Sequence, residues 1–196
     1  AFGLLKADGT PRPLMYSMAQ LNHALNGTVF VGKLPTEAGT TAYVFYKDGK
    51  PMIIAWSAAG STFEVNGANA KAYDVYGNEI SESTLTLGLD PVYIENVSTD
   101  YIKSAYDNEV AIRKAAISDY FVDLDIDILD AIENDENVKA LVKASEDLTD
   151  AEKAAVLDMY YEVEVVKATY NAINDSSDVT VPTARYTTLK ASANDK

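Results

Sequence analysis

Every glycine of this chain lies at or before Gly88; the second half has none. Glycine supplies the positive φ that tight turns need. A glycine-punctuated half with β-branched and aromatic runs therefore reads as short strands and turns, and a glycine-free half rich in Ala, Asp, Glu and Lys reads as helix. Charge divides at the same place. Residues 1–97 carry 9 acids and 6 bases, a net of −3, and residues 98–196 carry 21 acids and 10 bases, a net of −11. The organisation that follows is a β domain with one preceding helix over 1–97, a helical module over 98–175, and a polar tail or linker over 176–196.

Thr10 with Pro11 and Pro13 marks a helix start and Gly27 a stop, so a helix is expected over about 11–26. Leu14, Met18, Leu21 and Leu25 recur along it at spacings of four, three and four. That stripe marks a helix that buries one face, and because the next residues turn at once to strands, the helix is expected to dock on some neighbour. Strands are predicted over 28–32, 41–47, 52–57, 61–65, 71–76, 84–87 and 92–95. Asp48-Gly49 is a hairpin signal and Tyr76-Gly77-Asn78 a second turn. Seven short antiparallel strands imply two packed sheets, and the fold class expected is α+β: an antiparallel β-sandwich with one helix ahead of it and a small helical bundle or hairpin behind.

In the second half, Ser98-Thr99-Asp100 can cap a helix, with Ile102, Ala105, Tyr106, Val110 and Ile117 on one face, and Ser118 or Asp119 is expected to restart it. Residues 122–128 alternate Val122, Leu124, Ile126 and Ile128 with three aspartates, a strand period. Phe121, Leu124, Ile128 and Ile132 fit a helix as well, and the helical flanks favour helix. Thr149 with Glu152 is a capping box, and the helix it opens should reach about residue 173.

Composition excludes several classes. A net charge of −14 argues against nucleic acid and anionic membrane surfaces as partners. With no Cys there is no disulfide framework, thiolate zinc site or Cys nucleophile. No run of 18 apolar residues is present, so membrane insertion is not expected. His23, the single histidine, lies beside Asn22 and Asn26 and reads as a solvent or interface residue, since no second His or Cys completes a metal site. Asp123-x-Asp125-x-Asp127 has the opening of a calcium loop, but Ile128 stands where the loop needs Gly and Asn134 where it needs the bidentate Glu. No metal and no cofactor are expected. Asn26-Gly27-Thr28, Asn96-Val97-Ser98 and Asn174-Asp175-Ser176 are formal glycosylation sequons, which carry meaning only in a eukaryotic secretory host.

Phe2-Gly3-Leu4-Leu5, then Ala7-Asp8-Gly9-Thr10-Pro11-Arg12-Pro13 and a helix with Tyr16, resembles the end of the (β/α)8 barrel in retaining glycoside hydrolases, where such a loop leads into the last barrel helix. Asp48-Gly49-Lys50 before Ile53-Ile54-Ala55-Trp56-Ser57, Asp74 with Gly77-Asn78, and Pro91-Val92-Tyr93-Ile94 are similar to the small β-sandwich beside those barrels. The resemblance covers residues 1–95 and does not reach the helical half. It implies a secreted or cell-surface bacterial protein, with an upstream barrel or another protein module as partner. Catalysis in that family rests on two carboxylates about 5 Å apart at the ends of barrel strands, and those strands would precede Ala1. No catalytic residue is therefore carried onto this chain. Glu37, Glu64, Glu79, Glu82 and Glu95 stand in sandwich loops and strands with no motif around them, and the segment alone is not expected to hydrolyse a glycoside.

Sugar rings stack on exposed aromatic faces, and the chain has 13 Tyr and one Trp. Tyr43, Tyr46, Tyr73 and Tyr76 are the candidates for carbohydrate contact, against core packing for most of them, and Trp56 is assigned to the core or the barrel interface. The reading that results is a non-catalytic accessory region of a secreted polysaccharide-degrading glycoside hydrolase. Its alternative is an independent carbohydrate-binding or cell-surface interaction module. An accessory sandwich should expose an apolar patch that includes the first helix, whereas an independent binder should expose an aromatic platform on a polar surface. For the acidic helices the corresponding pair is a solvated face or a docking module.

Overall fold

The structure is a computed structural model that describes residues 3–121, 135–144, 146 and 148–175. The chain divides into two compact units, Ala1–Ala105 and Tyr106–Lys196. The alternating stretch 122–128, its three aspartates, and the tail over 176–196 lie outside the described residues.

The first unit opens with α1 (Pro13–Leu25) and continues through eight strands: β1 (Val29–Lys33), β2 (Thr40–Lys47), β3 (Lys50–Ser57), β4 (Thr62–Glu64), β5 (Lys71–Tyr73), β6 (Glu79–Ile80), β7 (Thr84–Thr86) and β8 (Val92–Glu95). They form a six-stranded sheet in the order β1-β2-β3-β8-β5-β6 and a two-stranded sheet of β4 and β7, every pairing antiparallel. The chain is thus α+β, with antiparallel sheets followed by helices. The Asp48-Gly49 turn forms as expected, both residues at positive φ (49° and 80°), so β2 and β3 pair in unbroken register from Thr40↔Ser57 to Lys47↔Lys50. β6 is a strand that the alternation does not reveal, since two residues are too short for a period.

β3 is central, and Met52, Ile53, Ile54 and Ala55 are all buried, which explains a continuous apolar run where a half-exposed strand would alternate. On one face of the sheet Ala42, Val44, Ile53, Ala55 and Ile94 have no exposure at all. The opposite face carries Tyr43, Phe45, Met52, Ile54, Trp56 and Tyr93. Met52, Ile54 and Tyr93 cluster there with Ala24 of α1, and Leu25, Phe45, Trp56 and Tyr73 pack around them.

α2 (Asp100–Phe121) runs unbroken through Ser118 and Asp119, so the expected restart does not occur; a side chain able to cap also continues a helix when the chain beyond it stays helical. The division between the two units falls within this helix. In the second unit α3 (Asp135–Ala144) and α4 (Asp150–Asn174) bury Ile117, Val142, Leu148, Val156, Tyr160 and Val163 as a separate cluster. α4 starts on the capping box expected from the sequence: Glu152 N–H donates to Thr149 Oγ1 at 3.3 Å and Thr149 N–H to Glu152 Oε2 at 2.7 Å. α2 and α4 run antiparallel, since Tyr106 stacks on Tyr170 at 4.0 Å between centroids while Arg113, two turns on, pairs with Glu162, two turns back.

Candidate functional site: an exposed, uncharged helix

Between Arg12 and Lys33 there are twenty consecutive residues, Pro13 to Gly32, without a single Asp, Glu, Lys or Arg, in a chain that is 23% charged. α1 lies wholly within this run, and most of it faces solvent. Leu14 is 58% exposed, Tyr16 51%, and Met15, Met18 and Leu21 about two-fifths each. Ala24 is the helix's one fully buried residue. At 100° per residue, Ser17, Gln20 and Ala24 share one side of the helix, and this side meets the sheet: Ala24 joins the Met52–Ile54–Tyr93 cluster, and Gln20 Oε1 would lie 2.8 Å from a Cβ placed on Gly77. The Leu14–Met18–Leu21 stripe lies to the side of that contact. Of the stripe, Leu25 packs on the core cluster, whereas Leu14, Met18 and Leu21 are exposed among the described residues.

The segment ahead of α1 extends this surface. Leu5 bridges to Pro11, Arg12 N–H donates to Leu4 O at 2.8 Å, and Lys6 N–H donates to Thr10 O at 2.8 Å. Gly9 closes the turn at φ 81°, and Asp8 accepts from Thr10 N–H at 2.9 Å, which holds its carboxyl below the ordinary value. The loop so fixed leaves Leu4 and Leu5 exposed at the start of α1. Phe30, on edge strand β1, is also exposed.

The four tyrosines proposed for sugar contact are not brought together as a platform. Tyr43 is half-buried and set edge-on between Phe30 (5.9 Å) and Trp56 (5.5 Å), with Phe30 in turn against Phe45 (5.6 Å). Tyr73 packs on the core cluster, and Tyr46 is half-buried near the β2–β3 turn. Tyr76 alone of the four is exposed, at 49%, on a tightly tied loop. Asp74 accepts from Tyr76 N–H (2.8 Å), Asn78 N–H (2.9 Å) and Asn78 Nδ2 (2.8 Å). Trp56 is half-buried at the border of the core cluster. His23 is exposed in the last turn of α1, where a positive charge is favourable.

The five sandwich glutamates are either exposed or drawn into an ion cluster with Lys71. Glu37, Glu64 and Glu82 are exposed. Glu79 is held by Lys71, its two oxygens at 3.1 and 3.0 Å from Nζ, and Glu95 faces Lys71 across the β5–β8 pairing. The two acids raise the Lys71 ammonium above its ordinary value, Glu79 most strongly, in an exposed ion cluster that contributes little to stability. Among the described residues no group of three His, Cys, Asp or Glu side chains could hold a metal ion, and no helix is long and apolar enough to cross a membrane. Comparison of the chain with protein-family models, curated proteins and solved structures finds no match.

Sequence reasoning found the α1 stripe but missed Met15, Tyr16 and Phe30 as surface residues. The absence of charge from Pro13 to Gly32 is the signal that would have found them, because interface centres are depleted of charge and enriched in Met and aromatic residues.

Proposed function

We propose that this chain is a non-catalytic accessory region of a secreted glycoside hydrolase, seated against a larger apolar body through α1 and the Leu4–Leu5 loop. The observation that carries the reading is the uncharged helix with five large apolar residues in solvent, the feature that separates an accessory module from an independent binder. The order of the loop, helix and strand motifs, which resembles the end of a retaining (β/α)8 barrel and its flanking sandwich, supports a barrel as that body. In this role the sheet covers and stabilises the barrel flank, and the chemistry belongs to carboxylates on the partner.

The test is the intact mass of the native gene product, with peptide mapping upstream of Ala1. About 250 additional residues, the size of a barrel, together with glycosidase activity that falls when Leu14 and Met18 are replaced by Glu and Lys, is the expected outcome. A native product no larger than this chain overturns it. The rival, an independent carbohydrate-binding module, draws on the exposed Tyr76 on its tied loop. It requires polysaccharide binding that Tyr76→Ala abolishes.

A further inference from the structure

We infer that Asn26-Gly27, at the junction of α1 and β1, is a site of spontaneous covalent modification: the backbone nitrogen of Gly27 attacks the Asn26 side-chain amide, and the fold directs this reaction to that junction. Asn-Gly occurs twice in the sequence, at 26–27 and 66–67, and asparagine is among the thermolabile residues. A following glycine leaves the attacking nitrogen unhindered, because no Cβ stands beside it. In the reaction the Gly27 nitrogen gives up its proton and bonds to Asn26 Cγ, the Cγ–Nδ2 bond breaks, and ammonia leaves with that proton. Water then opens the cyclic imide at either carbonyl. One opening gives aspartate; the other gives isoaspartate, in which the main chain runs through Cβ.

Both Asn-Gly pairs face solvent, but their surroundings differ. Asn66 is held at both ends, since its Nδ2 donates to Tyr101 Oη at 3.1 Å and its carbonyl accepts from Ser98 N–H at 2.7 Å. Gly67, at φ 154°, lies against main chain: a Cβ there would stand 2.6 Å from Asn96 O and 3.1 Å from the carbonyl carbon of Val97. Asn26 has already left the helical region, with φ −63° and ψ 117°, and its own N–H donates to Asn22 O. Among the described residues neither its side-chain amide nor Gly27 N–H makes a hydrogen bond. The nearest atom to a Cβ on Gly27 is Lys47 Cε at 3.8 Å, the end of a flexible side chain. Closing the imide ring turns the Asn26-Gly27 peptide about the Asn26 Cα–C bond. The restraint on that turn is Thr28, whose N–H and Oγ1 donate to Leu25 O at 3.1 and 2.9 Å, so opening of the helix end releases it. At Asn66 the Tyr101 and Ser98 bonds and the chain beyond β8 must all give way. The product changes the junction: a carboxylate at position 26 is the first acid between Pro13 and Gly32, and it stands at the C-terminus of α1, where negative charge opposes the helix dipole.

Peptide mapping of the whole chain after incubation at mildly alkaline pH follows both sites by the mass change from amide to acid, and isoaspartate by its separate elution. In the folded chain Asn26 is expected to convert at least about tenfold faster than Asn66, and in guanidinium the two rates are expected to agree within a few-fold, since unfolding removes the restraints on Asn66. Equal rates in the folded chain would overturn the inference, as would an Asn26 that keeps its amide there. A preference for Asn26 as large in guanidinium as in water would also overturn it, because the neighbouring sequence and not the fold would then set the choice.

Discussion

At Gly67 the backbone φ is 154°, and a Cβ there would lie 2.6 Å from the carbonyl oxygen of Asn96, an atom fixed in the chain beyond β8. Gly49 also needs positive φ, 80°, but a Cβ there meets nothing within 4 Å. Gly49→Ala should therefore cost only the left-handed strain of about 1 kcal/mol. Gly67→Ala adds a backbone collision and should cost about 2–3 kcal/mol. Urea unfolding followed by Trp56 fluorescence measures both, and equal losses would refute the steric argument. The Asp74 carboxyl makes a different prediction. Partial burial pushes it up, but the bonds from Asn78 Nδ2 and from the Asn78 and Tyr76 amides prevail and hold it below its ordinary 3.8. A depressed folded value means the group stabilises the fold at pH above 3.8 and loses that contribution as pH falls through the lower folded value. The β5–β6 turn should loosen in that acid window, and Asp74→Asn should flatten the dependence, as a pH series of amide spectra around Gly77 would show.

Arg113 links the two long helices electrostatically. Its Nε and Nη2 both reach Glu109 Oε1 at 2.9 Å, and Nη1 pairs with Glu162 of α4. Glu109 is only 7% exposed, and the guanidinium is one of the groups that pair its carboxylate. Arg113→Met should destabilise the helical unit by about 2 kcal/mol, a value discounted from a fully buried pair because Arg113 keeps some solvent, and Glu109→Gln in the same chain should restore part of it. A loss no greater for the single variant than for the double would show that the pairing contributes nothing. Elements differ in how well the sequence announces them. Thr149 and Glu152 three residues apart fix the start of α4 because the capping bonds are local, and Asp48-Gly49 fixes a hairpin for the same reason. The orientation of α1 was not legible: its strongest pattern is the Leu14–Met18–Leu21 stripe, yet Ser17, Gln20 and Ala24 face the sheet. A stripe states that a surface is to be covered and not which body covers it. The tyrosines were ambiguous for a related reason, since alternation puts Tyr43 and Phe45 on one face but does not show that Tyr43 stands edge-on between Phe30 and Trp56.

Each unit has a hydrophobic cluster of its own, Met52, Ile54 and Tyr93 with α1 in the first, and Ile117, Val142, Val156, Tyr160 and Val163 in the second. Cooperative unfolding follows from a shared core, so two cores predict two transitions. The chain offers a direct way to separate them. Trp56 is its only tryptophan and lies in β3, so its fluorescence reports the first unit, whereas the far-UV helix signal is dominated by α2, α3 and α4. Denaturant curves from the two probes should not coincide. Arg113→Met should then move the helix curve and leave the Trp56 midpoint in place, while Ile53→Ala, which empties a fully buried position in the sheet at a cost of about 3 kcal/mol, should do the reverse. α2 runs through the division between Ala105 and Tyr106, so it is an element along which a change in either unit can reach the other. Coincident curves that shift together in both variants would mean that α2 couples the units into one cooperative body, and that the helical half cannot be treated as a module apart from the sheet.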